Sequence, residues 1–177
     1  PGNAQLPLPD MLMMDRIVHI DDTGGAQGKG LIEAELDIRP ELWFFGCHFE
    51  GDPVMPGVLE VDAILQLCGF FLHHAGFGGY GRALKTGKII FREQVRPHHK
   101  LVSYRVDFRR ITERPTPLAF AEGVALVDGQ LSAQVEGIRD DVVSALADIT
   151  PAAPDIPIMS TVLGDWLDQP MDGDYWY

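Results

Sequence analysis

Residues 45–72, FGCHFEGDPVMPGVLEVDAILQLCGFFL, decide how this chain must fold. They hold a histidine, a Gly/Pro-rich turn and then an apolar run of helical length. From about Val58 to Leu72, the residues Val58, Leu59, Val61, Ile64, Leu65, Leu67, Cys68, Phe70, Phe71 and Leu72 reach every side of a helical wheel. A surface helix keeps one polar face, so this one must be wrapped by protein. It is too short to span a bilayer and is interrupted by Glu60, Asp62 and Gln66. Asp62 and Gln66 share a face at a spacing of four, while Glu60 points away from them.

A carboxyl group on a buried helix is costly to ionise and is seldom kept without a use. Burial favours its protonated form, an acid able to donate at neutral pH. Upstream, His48 lies among Gly46, Cys47 and Phe49, surroundings in which an imidazole can stay neutral and act as a base. Pro56 suits the entry turn of a helix, and Gly57 lets a ligand approach the first free backbone N–H groups closely. A base, an acid and a helix N-terminus for a carbonyl oxygen are the parts that proton transfer beside a thioester or ketone requires. Taken singly, each has a plainer reading: a histidine packed in a core, an aspartate that only makes structural hydrogen bonds. With GDPVMPG between them, the combination points to a site.

The segment from Trp43 to Leu67, WFFGCHFEGDPVMPGVLEVDAILQL, closely resembles the β-hydroxydecanoyl-ACP dehydratase/isomerase family of bacterial fatty-acid synthesis. Upstream LPLPDMLMMDRIV and AELDIRPELW and downstream GRAL, QVRP and LVDG are similar too, so the resemblance runs from about Leu6 to Ile138. Related domains sit in polyketide and polyunsaturated fatty-acid megasynthases; a stand-alone enzyme and a domain of a larger one both fit. The resemblance implies an α+β hot-dog fold, a curved antiparallel sheet wrapped around a central apolar helix at about residues 57–72. It implies a β-hydroxyacyl substrate held by the phosphopantetheine arm of acyl carrier protein, with no cofactor and no metal.

In that family's terms His48 would remove an α-proton and Asp62 would protonate the departing β-hydroxyl. The Gly57 N–H would hold the thioester oxygen, and Gln66 would steady the acid or the leaving water. Val54 and Met55 would border the acyl tunnel, with Cys47 and Phe49 beside the histidine. Family members are homodimers whose histidine and aspartate come from different subunits, and they carry a cis peptide after the histidine, here His48–Phe49. Two residues depart from the pattern: Glu60 stands where the family usually has Gly, and Val58 replaces a cysteine. Many non-isomerising relatives use Glu as the acid, so Asp62 leans toward the isomerase-capable branch. Glu60 would counter that by narrowing the tunnel or altering proton transfers, which leaves trans-2 to cis-3 isomerisation open. Two other readings stay open: a hot-dog acyl thioesterase, whose carboxylate would activate water with no histidine base, and a non-catalytic acyl-binding or structural domain of a larger synthase.

Composition bounds the rest. A chain of 177 residues, 46% of them hydrophobic, suits one domain with a real core. We expect that domain within residues 1–150, followed by a proline-rich, acidic extension over 151–177. The chain opens on Pro1 rather than Met, which reads as a missing natural N-terminus. There is no signal-peptide pattern and no membrane helix, and Cys47 and Cys68 lie in apolar sequence without metal-ligand spacing. The expected setting is the cytoplasm. A net charge of −12 argues against nucleic acid as partner. Ten of the 14 Lys/Arg nevertheless fall between residues 82 and 114, a basic stretch suited to an acidic partner or simply a solvated strand face. Acyl carrier protein is the acidic partner that the resemblance implies, with Arg109, Arg110 and Arg114 as the docking residues. The pairs His73–His74 and His98–His99 lack companion ligands for a metal. GFGGYG at 76–81 follows a helix, where phosphate loops follow a strand.

Alternation of apolar and polar residues predicts strands over 15–21, 30–38, 88–95, 101–111, 118–127 and 130–138. Asp128-Gly129 predicts a tight hairpin turn between the last two.

Overall fold

In the computed structural model of the chain, residues 6–77, 83–112 and 118–137 are described in full, and residues 158–160 and 165–167 as backbone alone. Strands β1 (Arg16–Asp21) and β2 (Leu31–Asp37) precede a short 3-10 helix (Trp43–Gly46) and the long helix α1 (Gly57–His74). Strands β3 (Ile89–Phe91), β4 (Leu101–Thr112), β5 (Leu118–Val127) and β6 (Gln130–Val135) follow. These six strands form one antiparallel sheet in the order β1-β2-β4-β5-β6-β3, with α1 packed against β2, β4, β5 and β6. This is the hot-dog fold, an α+β arrangement.

Period-two alternation builds the face that meets α1. Ile32, Ala34 and Leu36 of β2, with Val102, Tyr104, Val106 and Phe108 of β4, are buried in one core with Ile64, Leu67 and Phe71 of the helix. Two glycines set how closely the layers approach. A Cβ on Gly123 of β5 would lie 2.3 Å from the Ile64 side chain. A Cβ on Gly30, whose φ is +126°, would lie 2.2 Å from the Phe71 ring, which itself stacks on Phe108 at 4.2 Å between centroids. Asp128 and Gly129 both have positive φ, 46° and 84°, the geometry that matches a two-residue hairpin to strand twist. The Asp128 carboxylate accepts the Lys100 and Leu101 N–H groups as well, tying that turn to the start of β4.

Several expectations need correction. β3 ends at Phe91, not residue 95, because the chain bends at Glu93 and the Val95 carbonyl is taken by the Met55 N–H. β6 ends at Val135, although the Glu136 N–H still reaches the Lys88 carbonyl. Helix α1 runs two residues further than expected, to His74. It is also not wrapped on all sides by its own chain: Leu59, Glu60, Val61, Ala63, Ile64, Leu67 and Phe71 are buried, whereas Val58 is 66% exposed and Asp62, Leu65, Gln66 and Phe70 are half-buried. In the tail, Ile158–Ser160 and Asp165–Leu167 pair as a two-stranded antiparallel ladder, β7 and β8, where the sequence reads only as an acidic extension. No helix among the described residues is long and apolar enough to cross a membrane.

Candidate active site

The GDPVMPG loop braces His48 against itself. The His48 carbonyl accepts the Val54 N–H at 2.7 Å, and His48 Nδ1 lies 2.9 Å from the Val54 carbonyl. A carbonyl can only accept, so Nδ1 carries a proton, and in the neutral ring Nε2 is then the nitrogen with the lone pair that a general base needs. The peptide bond between His48 and Phe49 is cis, as the resemblance implied. Phe49 and Asp52 exchange backbone hydrogen bonds at 3.0 and 3.1 Å to close the turn. Arg96 clamps it from outside, donating to Asp52 Oδ1 at 2.7 Å and to Gln94 Oε1 at 2.7 Å. Sequence reading missed that clamp; its one signal was a lone arginine in QVRP.

After the loop the chain turns into α1 at Gly57. Pro56 supplies no side-chain cap, and among the described residues the Gly57 N–H meets no acceptor. A Cβ here would lie 2.7 Å from the Phe91 ring, so a ring from β3 occupies the closeness that glycine permits, beside the helix end. Farther along α1, Gln66 Nε2 donates to Asp62 Oδ2 at 2.6 Å and to the Met11 carbonyl at 2.7 Å. Gln66 thus bridges the aspartate and the N-terminal arm.

Asp62 is not the buried acid that the sequence suggested. It lies half-buried, on the face that the chain leaves partly open. The buried carboxyl is Glu60, only 2% exposed. Its side chain turns into the core, where Ser132 Oγ of β6 is hydrogen-bonded to Glu60 Oε1. Burial pushes the Glu60 carboxyl up to about 7, with Ser132 opposing the shift. Tyr104 of β4 is buried nearby, its hydroxyl without a partner among the described residues and its own ionisation driven higher by burial and by Glu60. Ser132 could not be found by period. It falls where the β5–β6 register slips between Ala125 and Leu126, and a bulge of this kind re-aims a side chain.

Other expected residues are placed as follows. Val54 and Met55 are buried; Cys47 and Phe49 are exposed, with the Phe49 ring 3.8 Å from that of His48. Arg109 pairs with Glu122 across β4 and β5, Arg110 lies over the Phe120 ring at 5.9 Å, and Arg114 falls outside the described residues. His74 faces Asp22 at 3.5 Å. Among the described residues no group of His, Cys, Asp or Glu is placed to hold a metal ion.

A family model described as a FabA-like domain matches residues 6–136. Among solved structures, the dehydratase heterocomplex ApeI:P from Xenorhabdus doucetiae is 16% identical, covering 70% of this chain and 97% of that one at a TM-score of 0.41. A phenylacetic acid degradation-related protein from Ralstonia eutropha is 17% identical, covering 75% and 89% with a TM-score of 0.48. An uncharacterized protein from Erwinia carotovora subsp. atroseptica is 16% identical, covering 69% and 91% with a TM-score of 0.43.

Proposed function

The chain belongs to the family of FabA-like domains, hot-dog dehydratases, and from that premise we propose that it removes water from β-hydroxyacyl thioesters carried on acyl carrier protein. The observation that carries this reading is the state of His48. With Nδ1–H spent on Val54, its Nε2 is free to take a proton from the substrate's α-carbon. Asp62, held by Gln66, would give a proton to the β-hydroxyl; the C–O bond breaks, water leaves, and a trans-2-enoyl thioester remains. Negative charge gathering on the thioester oxygen would be met by the Gly57 N–H at the positive end of α1.

The catalytic unit in this reading is a homodimer, with His48 of one copy facing Asp62 of the other. Its support is the apolar surface around the site: Phe49, Val58, Ile89 and Phe91 are all exposed, and among the described residues β3 is an edge strand with one side unpaired. An exposed apolar patch beside an open strand edge calls for a partner. A second copy laid there would take Asp62 out of water, where a carboxylate without a cation is costly. Carrier protein would dock on Arg109, Arg110 and Arg114, and the catalytic domain would lie within residues 1–150.

Incubation with a β-hydroxyacyl carrier-protein substrate tests the proposal, with enoyl product followed by absorbance and the cis/trans ratio by chromatography. Enoyl formation that His48→Ala and Asp62→Asn abolish supports it. Release of free thiol without enoyl product would make the chain a thioesterase instead. Binding without turnover, unaffected by either substitution, would make it an acyl-binding domain.

A further inference from the structure

Glu60 plays no part in the chemistry just described, yet it is the most deeply buried carboxyl among the described residues. Ser132 Oγ is within hydrogen-bonding reach of two acceptors, Glu60 Oε1 and the Glu93 carbonyl, the latter at 3.3 Å. A hydroxyl has one hydrogen and can satisfy only one of them. Both are satisfied if Glu60 carries a proton: its O–H donates to Ser132 Oγ, and the Ser132 O–H donates to the Glu93 carbonyl. Among the described residues no cation is paired with Glu60. The side chains that face α1 from β2 (Ile32, Ala34, Leu36) and from β5 (Ala121, Gly123, Ala125) cannot ionise; β4 offers Tyr104 and β6 offers Ser132.

The relay also has a position that matters. It joins the first turn of α1 to segment 92–96, whose Val95 carbonyl holds the Met55 N–H at 2.9 Å and whose Arg96 grips Asp52. The Arg92 N–H in turn bonds the Ser132 carbonyl at 2.8 Å. The helix end bearing Gly57 and the loop bearing His48 are therefore fastened to one another through this point. We infer that Glu60, held as a neutral acid through Ser132, is a positioning residue that fixes the start of α1 against the His48 loop and slackens when it ionises. Loss of its proton removes one hydrogen from the relay. The Ser132 hydroxyl then turns to the carboxylate and lets go of the Glu93 carbonyl, so the link between α1 and segment 92–96 is broken.

The inference rests on the dehydratase reading for its effect on rate, but its structural half does not. Infrared difference spectra of wild type against Glu60→Gln, taken across neutral pH, read the proton directly. The inference expects a protonated-carboxyl band in wild type that fades as pH rises through about 7 and is absent from the variant. No such band at any pH would overturn it, whether or not the protein turns over. In the rate assay, Glu60→Gln keeps both hydrogens of the relay, its amide donating to Ser132. It should match wild type at pH 6 and hold kcat to higher pH. Ser132→Ala, a small change that should still fold, should lower kcat about tenfold at pH 6 with KM nearly unchanged, as expected of misplaced catalytic groups. A kcat profile in Glu60→Gln that falls at the same pH as wild type, or a Ser132→Ala variant with wild-type kcat, would contradict the positioning role. Absence of dehydration in wild type itself, with the infrared band present, would count against the proposed function and leave the proton assignment standing.

Discussion

At the residue scale, the proposed chemistry rests on one histidine tautomer and on Asp62, while a second carboxyl, Glu60, lies in a different environment. His48 is committed by its Nδ1 contact to Val54, so His48→Ala should lower kcat/KM by about 100- to 10 000-fold, the usual worth of a positioned base. Its melting temperature should move little, since the ring is only half-buried. Steady-state kinetics beside thermal melts check both halves of that expectation. Glu60 makes a different prediction, on stability. Its carboxyl sits near 7 in the folded chain against an ordinary 4.5, so the folded state binds the proton more tightly. The stabilisation is complete below about pH 4.5 and is lost as pH rises through 7. At about 1.4 kcal/mol per pH unit between the two values the loss is about 3 kcal/mol. Urea unfolding between pH 5 and 8 should show this slope in wild type and its absence in Glu60→Gln. The sequence made Asp62 and Gln66 legible, because a spacing of four on a helix fixes a shared face. It could not rank Asp62 against Glu60 for burial, because both belong to a helix whose apolar residues run all round. Which side meets the sheet is decided by strands far along the chain.

At the element scale, the helix and its two ends carry most of the argument. α1 lies close to the sheet because Gly30 and Gly123 have no side chain under Phe71 and Ile64. Gly30→Ala would add a Cβ 2.2 Å from a ring at a φ of +126°, combining overpacking with backbone strain. About 3 kcal/mol of stability should be lost, measurable as a lower urea midpoint with an unchanged slope. The N-terminal end behaves differently. A Cβ on Gly57 meets the Phe91 ring at 2.7 Å, but that ring is half exposed and can swing aside. Gly57→Ala should therefore cost little stability while crowding the N–H assigned to the thioester oxygen, so kcat falls much further than the melting temperature. Strand positions were legible from alternation wherever it was unbroken, as from Leu101 to Phe108. The misread end of β3 marks a place where a backbone group goes to a partner outside the sheet, Val95 to Met55, and Ser132 lies at a slipped register inside β6. Period alone cannot show such partners.

At the scale of the whole molecule, the proposed site draws on two copies of the chain. Val58 and Phe49 are exposed, β3 has an open edge among the described residues, and Asp62 lies on the face that one chain leaves partly open. The central helix read as wrapped on every side, and one copy covers only part of it; a second copy would supply the rest. Val58→Asp should give a monomer by light scattering, with dehydration lost. For carrier docking, Arg110 is the more telling residue to reverse, since Arg109 is already paired with Glu122. Arg110→Glu should raise KM for the carrier-bound substrate severalfold, most clearly at low salt, with kcat kept. The most direct test of the account mixes two inactive variants, His48→Ala and Asp62→Asn, after brief unfolding and refolding together. With a base and an acid drawn from different copies, mixed dimers hold one intact site, and dehydration should return to about a quarter of the wild-type rate, as random pairing dictates. A mixture as inactive as its two components would contradict the shared site.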